Sequence, residues 1–123
     1  VKRCGLLAPT LVALAAVAAW AAPARAAEHL TYATGAMLYR GLTSSKPYEQ
    51  GVARGYIAAV ADIGAGEPVN GFLFCVPRSE TMEQLGVKVK GWIEAHPETR
   101  NYAGKGVVAA ALGDAYPCPR GQP

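Results

Sequence analysis

The chain has 123 residues, with 12 Lys and Arg against 9 Asp and Glu, 14 Gly, 9 Pro and 3 Cys. That length fits one small domain and excludes a large multidomain enzyme or a polytopic transporter. Lys2, Arg3 and Arg25 all precede Ala27 while no acidic residue does, so the remainder is electrically balanced and lacks the basic footprint that nucleic acid requires.

The first segment reads as an address. Lys2-Arg3 is a short positive start, Cys4 to about Ala22 is apolar and uncharged, and Ala24-Arg25-Ala26 supplies small residues at signal-peptidase spacing. The alternative is a retained anchor, since the run approaches the roughly 20 residues a membrane span needs. Pro23 and the Ala-x-Ala favour cleavage. Residues 1–26 are therefore expected to be a signal peptide, and residues 27–123 a periplasmic or secreted domain with no membrane association. Export leads to an oxidising compartment. Removal of Cys4 leaves Cys75 and Cys118, which are expected to form one disulfide. Loop-closure entropy assigns such a bridge roughly 4 kcal/mol.

Four helices are expected in the mature chain. Ala27 to about Gly41 has a helical period through Leu30, Thr34, Met37, Leu38 and Gly41. Lys46–Ile63 is the clearest: Ser45 is the expected N-cap, Pro47 suits the first turn, and Gly64 suits the C-cap. Tyr48, Val52, Tyr56, Ile57, Val60 and Ile63 give this helix an apolar face. Beside it Gly51, Gly55 and Ala59 form a seam of small residues that would admit another backbone. Asp62, near that seam, is expected to bond a neighbouring helix end or to belong to a partner-binding surface.

Glu67–Arg78 is punctuated by Pro68, Asn70, Gly71 and Pro77. Within it Phe72–Val76 reads as a buried, extended crossing segment pinned by Cys75. Thr81–Ala95 is the third helix, opened by the Thr81-x-x-Gln84 capping box and closed by His96-Pro97. The fourth runs from Asn101 or Tyr102 to Tyr116. The expected fold is a small all-α four-helix domain with one disulfide, preceded by a signal peptide.

Chemical motifs are sparse. His29, His96, Cys75 and Cys118 have no short ligand spacing, so no metal site is expected. A disulfide sulfur is no thiolate nucleophile, and His96 suits the negative end of its helix. Gly64-Ala65-Gly66 and Gly104-Lys105-Gly106 are turn glycines, because neither completes a nucleotide-binding fingerprint. No catalytic constellation and no cofactor site is expected. The chain reads as a binding protein rather than an enzyme.

Several pieces fall in a telling order: Gly55-Tyr56-Ile57-Ala58-Ala59-Val60-Ala61-Asp62, then Phe74-Cys75-Val76-Pro77 with Thr81 and Gln84. Trp92-Ile93-Glu94-Ala95-His96-Pro97 follows, and then Ala109-Ala110-Ala111-Leu112 and Ala115-Tyr116-Pro117-Cys118. With these, from about Gly35 to Cys118, the chain resembles the Rap/Tai family of type VI secretion immunity proteins. The resemblance implies a small exported helical protein with a disulfide, the family's cysteines falling on Cys75 and Cys118. It also implies a role in binding and blocking an injected peptidoglycan amidase, and, since several members act as homodimers, a second copy as partner. One departure stands out: members often join their first two helices by another cysteine pair, and the corresponding positions here are Gly41 or Leu42, and Ala53. The alternative reading is a periplasmic helical protein of envelope-stress or chaperone type with no toxin partner. Partner-contacting residues are unassigned, with Tyr102 and Glu67–Gly71 as the exposed candidates.

Overall fold

The computed structural model describes residues 32–120, which form four α-helices and one 3-10 turn. The helices are α1 (Gly35–Thr43), α2 (Pro47–Ile63), α3 (Met82–Ala95) and α4 (Gly104–Ala115), with the 3-10 turn at Pro97–Asn101. The all-α expectation holds, and among the described residues the only β features are two isolated bridges. The expected signal peptide and His29 lie outside the described residues.

Helix α4 is the centre of the domain. Val107 through Leu112 are all buried, an apolar circumference rather than a stripe, so the helix must be surrounded. It packs against α1, α2 and α3. Ile57 and Val60 of α2, Leu85, Val89 and Ile93 of α3, Leu38 of α1 and Phe74 of the long loop complete the core.

Helix α1 begins later than its period suggests. Ala33 accepts a hydrogen bond from Gly104 N at 2.7 Å, and Gly35 N donates to Tyr102 O at 3.0 Å. That pairing with the segment before α4 holds Ala33 and Thr34 extended. Thr34 then caps the helix, its Oγ1 accepting from Met37 N at 3.3 Å. Gly35 is required at this contact, because a β-carbon there would stand 2.7 Å from Thr99 O.

Helix α2 has the expected length, but its N-cap is Lys46 rather than Ser45. Ser44 shapes the turn instead: its Oγ accepts from Lys46 N at 3.1 Å, and its carbonyl accepts from Gln50 Nε2 at 2.6 Å. Gly64 closes the helix, and a side chain there would collide with the ring of Phe74.

The orientation of α2 corrects two expectations. Its core face is Ala53, Ile57 and Val60, whereas Tyr48, Val52 and Ile63 are exposed. The Gly51/Gly55/Ala59 seam also faces outward, and a β-carbon on Gly51 or Gly55 would meet nothing within 4 Å. Small α4 residues fit against a narrow stripe of α2, so only three of its apolar residues reach the interior. Asp62 likewise is exposed, and its side chain bonds no neighbouring helix end among the described residues.

Of the segment expected to be buried, Phe72–Val76, only Phe74 reaches the core; Phe72 and Cys75 are exposed and Leu73 and Val76 half-buried, because the loop runs along the surface and turns one ring inward. Asn70 and Gly71, at φ 53° and 84°, make a tight turn that pairs Val69 with Phe72 in both directions at 2.9 Å. Cys75 is bonded to Cys118, and its backbone N–H donates to Tyr116 O at 2.8 Å. This ties the loop to the end of α4. Helix α3 carries the complete capping box, with Thr81 and Gln84 bonding each other's backbone N–H. Pro97–Asn101, an unforeseen 3-10 turn, delays α4 until Gly104.

Candidate partner-binding surfaces

Three exposed regions could receive another molecule. The first is a cavity of ≈ 330 Å³ where the Asn70 turn, α3 and α4 meet. Phe72, Trp92 and Tyr102 supply its aromatic surface, with Asn70 and Asp114 at its polar positions. Trp92 is fixed twice. Its Nε1–H donates to Asp114 Oδ2 at 2.8 Å, and its ring stacks on His96 with centroids 4.2 Å apart. His96 is itself held at the C-cap of α3, its backbone N–H donating to Trp92 O. The cavity therefore has a rigid aromatic wall whose orientation is set before any partner arrives. Tyr102 and Asn70, from the two segments singled out in the sequence, line the same cavity. Trp92 and Phe72 were missed as surface residues. The helical period placed Trp92 on the apolar face of α3, and only the indole–carboxylate bond reveals its boundary position.

The second region is a cleft of ≈ 410 Å³ between α1 and α2, lined by Tyr32, Met37, Tyr48, Val52 and Tyr56. Arg40 and Glu49 stand at it as well. Glu49 is held below the usual carboxylate range by its bond with Ser44 and then by Lys46, whose Nζ lies 3.0 Å away. The floor is the α1–α2 crossing, where Gly41 meets Ala53. The third region is a groove beside the disulfide, bordered by Asp62, Phe74, Cys75, Glu80 and Met82.

One polar cluster elsewhere is consumed by structure. Arg100 lies over the Tyr39 ring, its Cζ 4.4 Å from the centroid, while the Tyr39 hydroxyl donates to Glu94 Oε1 at 3.2 Å. Lys90 bonds the same Glu94 oxygen at 2.8 Å, and this contact holds the Glu94 carboxyl low and the Lys90 ammonium high. These residues brace α1, α3 and the 3-10 turn together. Among the described residues no group of three or more His, Cys, Asp and Glu side chains could hold a metal ion. No described helix is long and apolar enough to cross a membrane.

A helical domain with a disulfide-tethered loop and several aromatic and apolar surfaces offers places where another molecule could dock. The family model of the Rap1a immunity proteins matches residues 22–118. The chain belongs to that family. No curated protein and no solved structure matches it significantly. Membership supports an immunity-type function, which implies an effector partner. The Rap1a match covers every element that builds the aromatic cavity and the α1–α2 cleft. The second cysteine pair expected of relatives is absent, and of the positions inferred for it, Gly41 or Leu42 and Ala53, Gly41 faces Ala53.

Proposed function

We propose that residues 1–26 direct export and are removed, and that the remaining domain binds a peptidoglycan amidase injected into the periplasm and occludes its active site. The match of residues 22–118 to the Rap1a immunity proteins carries this reading. Inhibition by occlusion needs rigid contact residues and no catalytic group of its own. The Phe72/Trp92/Tyr102 cavity supports that role, because a few aromatic anchors supply most of the energy of a protein–protein interface. Trp92, locked by Asp114 and His96, loses little further freedom on binding.

The test is titration of the exported, disulfide-bonded domain into a peptidoglycan amidase encoded beside its gene. Calorimetry would report binding, and release of cell-wall fragments would report activity. The expected result is stoichiometric inhibition, with Tyr102→Ala weakening binding at least about tenfold. Undiminished hydrolysis at saturating concentration of the domain would overturn the reading. No structural observation favours the envelope-stress or chaperone alternative.

A further inference from the structure

Arg100, Tyr39 and Glu94 show how this domain holds a cation with an aromatic ring and a carboxylate. The guanidinium lies over the Tyr39 ring, 4.4 Å from its centroid, and the Tyr39 hydroxyl donates to Glu94 at 3.2 Å. The aromatic cavity contains the same pairing of ring and carboxylate, Trp92 donating through its indole N–H to Asp114 Oδ2 at 2.8 Å. Among the described residues no lysine or arginine pairs with Asp114, and none lines the cavity. His96 stacks on the indole, bonds Trp92 O through Nδ1 at 2.9 Å and makes no ion pair with Asp114. The indole engages only Oδ2, so Oδ1 is left as an acceptor for another donor.

The place of Asp114 in the fold adds to the imbalance. It stands in the last turn of α4, and Trp92 stands in the last turn of α3. Backbone carbonyls make both helix ends negative, and a cationic side chain is favoured there. Neither last turn carries a basic residue. Asp114 is the only charged side chain lining the cavity, and it adds negative charge where the backbone is already negative. The surfaces around it are ones a cation favours, the Trp92 ring with Tyr102 and Phe72, the last two 60% and 40% exposed. Asn70 brings a polar amide to the same wall, resting on α4 where a β-carbon on Gly106 would stand 2.8 Å from its Nδ2. We infer that this cavity receives an arginine side chain of the partner protein. The planar guanidinium stacks on the aromatic wall while its N–H groups reach Asp114 Oδ1, a combination that the compact ammonium of lysine does not offer. The inference rests on the effector reading above and adds the chemistry by which the cavity selects its partner.

The first test needs no effector. N-acetyl-L-argininamide is titrated into the exported, disulfide-bonded domain and followed by the Trp92 Nε1–H resonance in a proton–nitrogen correlation spectrum. A saturable shift at millimolar concentration is expected, weakened by added sodium chloride. The neutral isostere N-acetyl-L-citrullinamide should bind about tenfold more weakly. Asp114→Asn keeps an acceptor for the indole and removes only the charge, so it should weaken argininamide binding about threefold with no loss of melting temperature. Absence of a shift overturns the inference, as does equal binding of the two amides. A shift produced by N-acetylglucosamine oligomers and not by argininamide would assign the cavity to a sugar and equally overturn it. The second test uses the amidase. Asp114→Asn should weaken its binding at least about tenfold, because the arginine would be left buried without its carboxylate. Binding and inhibition by Asp114→Asn equal to those of the wild type overturn the inference and leave the effector reading standing. A wild-type domain that does not inhibit the amidase overturns that reading instead, and the argininamide titration alone then decides what the cavity takes.

Discussion

Gly41 and Ala53 face each other where α1 crosses α2, so closely that a β-carbon on Gly41 would stand 2.8 Å from the β-carbon of Ala53. The backbone oxygen of Glu49, 3.0 Å from the same point, closes the other side. Gly41→Ala therefore has no space to relax into and is expected to cost about 1–3 kcal/mol. Gly91→Ala provides the contrast, because its β-carbon meets nothing and the better helix former should gain up to about 1 kcal/mol. Urea denaturation of the two variants should shift their midpoints in opposite directions. The same distance is shorter than the roughly 3.8 Å between the β-carbons of a disulfide. In this chain α1 and α2 thus pack nearer than a cysteine pair at these positions would permit.

The bond from Cys75 to Cys118 spans 43 positions and joins the long loop to the end of α4. Closing a loop of that size in the unfolded chain is worth about 4 kcal/mol. The double variant Cys75→Ala/Cys118→Ala should lower the unfolding free energy by about that amount, read from urea titration. Dithiothreitol treatment of the wild-type protein should reproduce the loss.

Tyr116 predicts an alkaline limit. Its hydroxyl is buried without a hydrogen-bond partner, and burial, with Glu80 nearby, pushes it up to about 12. In the unfolded chain it would titrate near 10. The neutral phenol is thus favoured by folding. Its contribution is complete below about pH 10 and is lost as the pH rises through about 12, a difference of at most about 3 kcal/mol between folded and unfolded chains. Tyr116→Phe should remove this part of the pH dependence. At pH 7 it should be neutral or stabilising, because it also removes an unsatisfied polar group. Melting temperatures of both proteins between pH 8 and 12 measure the difference.

Trp92 reports on the aromatic cavity directly. The sequence holds 2 tryptophans, and the other, Trp20, precedes the expected cleavage point. Asp114→Ala breaks the 2.8 Å indole bond and frees the ring from α4. The fluorescence maximum should move to longer wavelength, and stability should fall by about 1 kcal/mol. If the cavity holds the effector, binding should weaken as well, although Asp114 lies at its edge.

The fold was readable wherever a local signal determined it. Pro47, the Thr81–Gln84 box, Gly64 and His96-Pro97 each act within one helical turn, and the ends they mark stand within one residue of expectation. The start of α1 was not readable, because it is decided by Ala33 and Gly35 pairing with residues almost 70 positions later. The facing of α2 was obscured by its composition. With apolar or small residues around most of the helix, periodicity selects Tyr48, Val52 and Ile63 as readily as Ala53, Ile57 and Val60. Only the small side chains of α4 decide which stripe turns inward. The aromatic cavity was half visible, since Tyr102 and the Asn70 turn are marked by loop chemistry. Trp92 joins them through a contact between helices that no local pattern records.

The sulfur bridge also has a mechanical consequence. Were the molecule pulled by its two ends, load would cross from residue 75 directly to residue 118. Helices α3 and α4 would hang inside a closed covalent ring, and roughly 150 Å of contour would stay hidden. Only α1, α2 and the stretch before Cys75 could pay out. Under tension the chain would behave as two parts, one extensible and one shielded.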